Sequence, residues 1–229
     1  MSHKKTGLLF SHFHVSENEH YKFDILKYNI DYFKSLDNNF FIVLCGHGYT
    51  PPSFITEKID KLYWEDNIDH KEIGVGHPKF CIKGYNILLK NNIKYSIKLR
   101  GTDTITEKNL CYDLMQKYPI NITEQTCINK KIIGDLLMFG ETKSMLDLWE
   151  ISPWDYNISG LYNLYNNAEL IANKNKCSLN SLFKFISPKK IGWYSLENNW
   201  DKLNKSLLGP LTEEHLWGIK NKYEYYGGF

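Results

Sequence analysis

The sequence predicts an α/β fold, a mainly parallel sheet flanked by helices in a single domain spanning 1–229, and three observations carry that reading. The first part of the chain, up to Arg100, runs strand, helix, strand, short strand, helix, strand, an order that builds parallel sheets through right-handed crossovers. The run Phe40 to Cys45 (FFIVLC) is apolar without alternation, as a strand covered by helices on both faces must be. Three polar clusters, Ser11 to His14, Gly46 to Tyr49 and Arg100 to Asp103, close the candidate strands, and in such sheets ligands sit beyond the strands' carboxyl ends.

Each element has a local reason. Gly7 to Val15 is short, apolar and ends in polar residues, a first strand entering a loop at Ser16 to His20. Phe23, Leu26, Ile30 and Phe33 recur at intervals of three and four, an amphipathic helix that stops before Asp37-Asn38-Asn39. After Phe40 to Cys45 comes a short strand at Lys61 to Trp64 and a polar loop to Gly76. Pro78 then opens a helix with Phe80, Ile82, Tyr85, Leu88 and Leu89 on its apolar side, proline being suited to a first helical position. Ile93 to Leu99 alternates as a strand and runs into Arg100-Gly101-Thr102-Asp103. Beyond it, Lys131 to Phe139 reads as a strand interrupted at Gly134-Asp135, Lys143 to Glu150 as a short helix, Ser159 to Asn173 as a helix, and Ile191 to Leu196 as an edge strand before a Gly- and Tyr-rich tail.

Composition narrows the function. The 28 basic and 26 acidic residues are spread along the chain and leave a net charge of +2, so there is no basic face to neutralise a run of phosphates, and no nucleic-acid partner is expected. No apolar stretch reaches the roughly 18 residues of a membrane span, and the apolar run at the start is too short and too His-rich for a signal peptide. A cytoplasmic protein is expected, with peripheral contact the form any membrane association takes. The five cysteines, Cys45, Cys81, Cys111, Cys127 and Cys177, are an odd number without a C-x-x-C pair and read as reduced thiols.

Arg100 is the only arginine among the 28 basic residues. On a solvated surface Lys serves as well as Arg, but only the planar guanidinium grips a phosphate or carboxylate with two parallel hydrogen bonds, so a lone Arg marks a place where that fork counts, or else an internal ion pair. It stands in Lys98-Leu99-Arg100-Gly101-Thr102-Asp103 at a strand end. Glycine permits a sharp turn, the fork suits diphosphate oxygens, and Asp at a strand end suits a divalent cation. The same residues also fit an ordinary strand-to-loop turn. Asp135 within an apolar run is costly unless paired or at a strand end.

Gly76-His77-Pro78, Lys94-Tyr95, Lys98, Arg100 and Asp103 form a pattern of Pro-led apolar helix followed by x-Y-x-I-K-x-R-G-x-D. It resembles the middle of bacterial and viral polysaccharide glycosyltransferases with a GT-A-like nucleotide-sugar fold, including WavE-type lipopolysaccharide synthesis proteins. Gly134-Asp135 to Gly140 resembles the family's second strand, and the resemblance covers residues 40 to 150. In that family a strand ending in K-x-R-[SG]-D supplies the equivalent of a D-x-D metal site; here Thr102 separates Gly101 from Asp103, and one carboxylate stands where D-x-D families have two.

The resemblance implies a Rossmann-like, GT-A-like sheet, with a nucleotide-binding part over about 1–110 and an acceptor-side part over about 111–229. It further implies a nucleotide-sugar donor, a glycan or glycolipid acceptor, and Mn²⁺ or Mg²⁺. Lys98 and Arg100 are then expected to neutralise diphosphate, and Asp103 to hold the metal with His215. Ser11 and His12 are expected to border the nucleotide, Gly46 and His47 to let a base or ribose approach the backbone, and Asp135 to serve as the acceptor-side carboxylate. Two other classes fit the residues. His12 and His14 share one strand face and, with His47, Asp103 and His215, suit a metal-dependent hydrolase. A nucleotide- or glycan-binding module without catalysis needs only the anion site. Trp149, Trp154, Tyr156 and Trp193 suit either an acceptor platform or core packing.

Overall fold

The structure is a computed structural model that describes residues 6–14, 20–36, 39–66, 73–123, 131, 133–135, 137–155, 158, 160–186 and 188–196. Strands β1 (Thr6–His14), β2 (Phe40–Gly48), β3 (Lys61–Glu65) and β4 (Tyr95–Arg100) pair in parallel in the order β3-β2-β1-β4. Three more strands complete a seven-stranded sheet: β7 (Leu137–Glu141) lies against β4, then β6 (Ile120–Thr123), then β8 (Phe183–Ile186) at the far edge. Only β7 is reversed, antiparallel to both β4 and β6, while β6 and β8 are parallel to each other. This is the mainly parallel α/β sheet expected from the element order.

The unalternating apolar strands have the cause anticipated for them. Leu8, Phe10, Ile42 and Leu44 face one layer, with Phe23, Leu26, Ile30 and Phe33 of α1 (Tyr21–Leu36) and with Ile55 of α2 (Ser53–Thr56). Their chain neighbours Leu9, Val43 and Cys45 face the other, against Phe80, Cys81, Tyr85 and Leu88 of α3 (Ile73–Lys90). Successive strand residues point to opposite faces, so apolar residues at every position are what two buried faces require. Helix α4 (Lys108–Met115) adds Cys111 and Met115 to the first layer; α5 (Thr142–Glu150) and α6 (Gly160–Lys174) add Met145, Trp149 and Leu164 to the second.

Several boundaries move. Helix α3 begins at Ile73 rather than at Pro78, which sits in the second turn, where the missing N–H costs one backbone hydrogen bond and not a whole helix. The segment from Ile133 to Asp135 is not strand; β7 starts at Leu137, after Asp135. The expected edge strand near Ile191 is β9 (Trp193–Ser195), and it pairs instead with β5 (Asp103–Ile105) in a separate two-stranded antiparallel sheet, following α7 (Leu179–Leu182) and α8 (Pro188–Ile191). Cys45, Cys81, Cys111 and Cys177 form no disulfide among the described residues, and Cys127 lies outside them. No helix among the described residues is long and apolar enough to cross a membrane.

Candidate anion site at the carboxyl end of β4

β1, β2, β3 and β4 all end on one edge of the sheet, and β4 delivers Arg100 there. Because β7 runs antiparallel to β4, with Leu99 opposite Leu137, the amino end of β7 lies on the same edge and the segment preceding it brings Asp135 beside Arg100. Arg100 Nη2 is 3.8 Å from Asp135 Oδ1, an ion pair beyond hydrogen-bond length. The Arg100 side chain is 38% exposed, whereas its Nε is buried and has no hydrogen-bond partner among the described residues. Lys98, two residues earlier on the same strand face, is fully buried. Its ammonium donates to the Asp135 backbone carbonyl, lies 4.0 Å from the Asp135 carboxylate and sits 5.6 Å above the Trp149 ring. Asp135 is therefore shared by two cations, which answers the cost of a carboxylate in this setting.

The turn after Arg100 is tied from three sides. Gly101 N–H donates to the Ser11 carbonyl at 2.9 Å, Leu196 N–H donates to the Thr102 carbonyl at 2.8 Å, and the Asn29 amide of α1 donates to the carbonyls of Gly101 at 3.3 Å and Asp103 at 2.6 Å. Glycine is required at 101: a Cβ there stands 2.4 Å from His12 Nδ1 and 3.2 Å from Leu26 Cδ1. Asn29 went unnoticed in the sequence reading, although its presence on the apolar stripe between Leu26 and Ile30 was a visible anomaly.

The other expected donor contacts lie inside the fold. Ser11 is buried, its hydroxyl aimed at the Leu99 carbonyl. His12 is buried beneath Gly101, its ring 5.5 Å from Phe23 and 6.3 Å from Trp64. Gly46 is needed by packing and not by a ligand, since a Cβ there meets the His12 carbonyl at 1.9 Å and the Trp64 ring at 2.6 Å. His47 is buried under α3, stacked on Phe80 at 5.5 Å. Lys98 is fully buried beside Asp135, which leaves Arg100 as the exposed member of the set. Trp149 and Trp193 are core residues, Trp154 stacks on Trp149 at 5.4 Å and is half-buried, and Tyr156 lies outside the described residues.

The hydrolase constellation is pulled apart by the pleat. His12 is registered with Gly46, so His47, one residue on, faces the opposite layer: His12 packs with α1 and His47 with α3. The side chain of His14 and all of His215 lie outside what is described. Nor do the described residues suit the expected Mn²⁺ or Mg²⁺. The Asp103 side chain is fully buried at the start of β5, Asp135 is engaged by Lys98 and Arg100, and no three His, Cys, Asp or Glu side chains among the described residues converge. An oxygen-rich cation site needs several such ligands, and the described residues do not assemble one.

Burial lowers the His47 imidazole below its ordinary value of 6.5, with the nearby Glu65 carboxylate opposing the shift. On acidification the unfolded chain takes up this proton first, so the stability tied to the neutral ring is complete above pH 6.5 and is lost progressively below it. Urea unfolding of the parent protein and of His47→Gln across about pH 5 to 7.5 is expected to show a smaller acid loss in the variant; equal slopes would assign the loss to other groups.

No protein-family model matches the chain, and no curated protein matches it. Among solved structures, a Bacillus anthracis protein described as a glucose-1-phosphate thymidylyltransferase, in complex with sucrose, matches 89% of this chain and 94% of its own at 6% identity and a TM-score of 0.50. The nucleoside-diphosphate-sugar pyrophosphorylase of Vibrio cholerae RC9 matches 83% of this chain and 95% of its own at 11% identity and the same TM-score of 0.50. A glycosyltransferase involved in glycosylating the major capsid of PBCV-1 is aligned over 79% of this chain and 81% of its own at 8% identity and a TM-score of 0.42. The chain thus has the GT-A-like, Rossmann-like fold seen among nucleotide-sugar enzymes.

Proposed function

We propose that the protein is a glycosyltransferase of the polysaccharide-synthesis type, moving a sugar from a nucleoside-diphosphate sugar to a glycan or glycolipid acceptor. The observation that carries the reading is Arg100. The chain's one arginine stands at the carboxyl edge of the sheet with a buried Nε–H that no described group accepts and a carboxylate only loosely paired with it. In the transfer, the bond between the anomeric carbon and the β-phosphate oxygen breaks, its electron pair passes to the diphosphate, and a bond to the acceptor hydroxyl oxygen forms as that hydroxyl gives its proton to solvent water. Charge grows on the diphosphate, and a donor fork fixed in place stabilises it without reorganising. Asp135, first expected to be the acceptor-side base, is read as the group that orients Arg100. Glu124, Glu214 and His215, whose side chains are also able to serve as acid or base, lie outside the described residues. The donor is assigned to the part over about 1–110 and the acceptor to about 111–229.

Calorimetric titration with UDP and GDP sugars tests the donor half of this reading, a CMP sugar, which has no diphosphate, being the control that should not bind. One nucleotide class is expected to bind, at micromolar to millimolar levels as enzyme substrates do. Absence of binding across the set would remove it.

A further inference from the structure

We infer that Asn29 is a positioning residue for the anion site, an inference that rests on the reading of Arg100 as the diphosphate ligand. Asn29 is fully buried on α1, among Leu26, Ile30 and Phe33, where a leucine would pack without polar cost. Its Oδ1 is buried and accepts no hydrogen bond from any described residue. Leaving such an acceptor unsatisfied is expensive. What the amide supplies in return is one NH₂ group directed at two carbonyls of a single turn, those of Gly101 and Asp103. Those carbonyls follow the strand that carries Arg100, that of Gly101 within the turn and that of Asp103 at the start of β5, where Asp103 pairs with Ser195. With Ser11 and Leu196 anchoring the intervening N–H and carbonyl groups, Asn29 fixes the peptide planes after Arg100 and so the direction in which the guanidinium leaves β4.

The chain makes this measurable, because a single arginine produces a single side-chain Nε–Hε correlation in a ¹⁵N-labelled protein. The parent and Asn29→Ala are compared without ligand and then titrated with inorganic pyrophosphate. Asn29→Ala is expected to move the ligand-free Arg100 correlation and to weaken pyrophosphate about tenfold, the scale of one or two lost hydrogen bonds. Asn29→Ser, which keeps a donor, is expected to lie between the two. A folded Asn29→Ala with a lowered melting temperature but an unmoved correlation and parental affinity would overturn the inference, leaving Asn29 as packing alone. If the parent correlation ignores pyrophosphate while Asn29→Ala still displaces it, the Arg100 reading fails and the clamp on the turn stands. Failure of both variants to fold would likewise assign Asn29 to the core and overturn the positioning role.

Discussion

Arg100→Ala is expected to weaken nucleoside-diphosphate binding about a hundredfold, and Arg100→Lys about tenfold, in calorimetric titrations of folded protein. The difference between the two variants is the informative part. Lysine restores the charge but not the planar pair of donors, so a loss on Arg100→Lys reports the fork itself. The Arg100 side chain is part-exposed at the end of β4, so its removal is expected to leave the sheet in place. Unchanged affinity in both variants would mean that the lone arginine serves only as an ion-pair partner of Asp135.

Asp135→Asn has the larger structural consequence. It takes away the carboxylate that Arg100 and the fully buried Lys98 share, and removing one partner of a buried pair costs about 3 kcal/mol because the other charge stays behind in the interior. Urea unfolding is expected to show that loss. Adding Lys98→Met should recover much of it, since an apolar side chain beside Trp149 needs no counter-charge. Full stability in Asp135→Asn would instead return Asp135 to the acceptor side as a candidate acid or base.

What could be read in the sequence depended on how local the cause was. The parallel core was legible because two-sided burial writes itself into consecutive residues, as in Leu8-Leu9-Phe10 and Ile42-Val43-Leu44. The antiparallel course of β7 was not, because strand direction is decided by partners far along the chain. Asp135 was therefore placed within a strand instead of ahead of one, at the edge where Arg100 ends. The same distance effect hid β5 and its pairing with the expected strand at Ile191 to Leu196, which joins Asp103 to Ser195 outside the main sheet. The histidines misled because H-x-H establishes a shared face only along its own strand, and the register with β2 sends His47 to the other layer. Glycines at 46 and 101 were noticed for their freedom near a ligand, yet both are required by the volume of His12 and Trp64 packed against them.

The central claim, that this fold and its anion site break the bond between a sugar and a diphosphate, is tested most directly by ³¹P NMR. The protein is incubated with the nucleotide sugar it binds and a panel of glycan and glycolipid acceptors, with and without added pyrophosphate. Free nucleoside diphosphate is expected to accumulate with the parent protein, whether or not pyrophosphate is present, and not to accumulate with Arg100→Ala. Nucleoside triphosphate and sugar phosphate formed only when pyrophosphate is added, or a nucleotide sugar that stays intact under every condition, would contradict it.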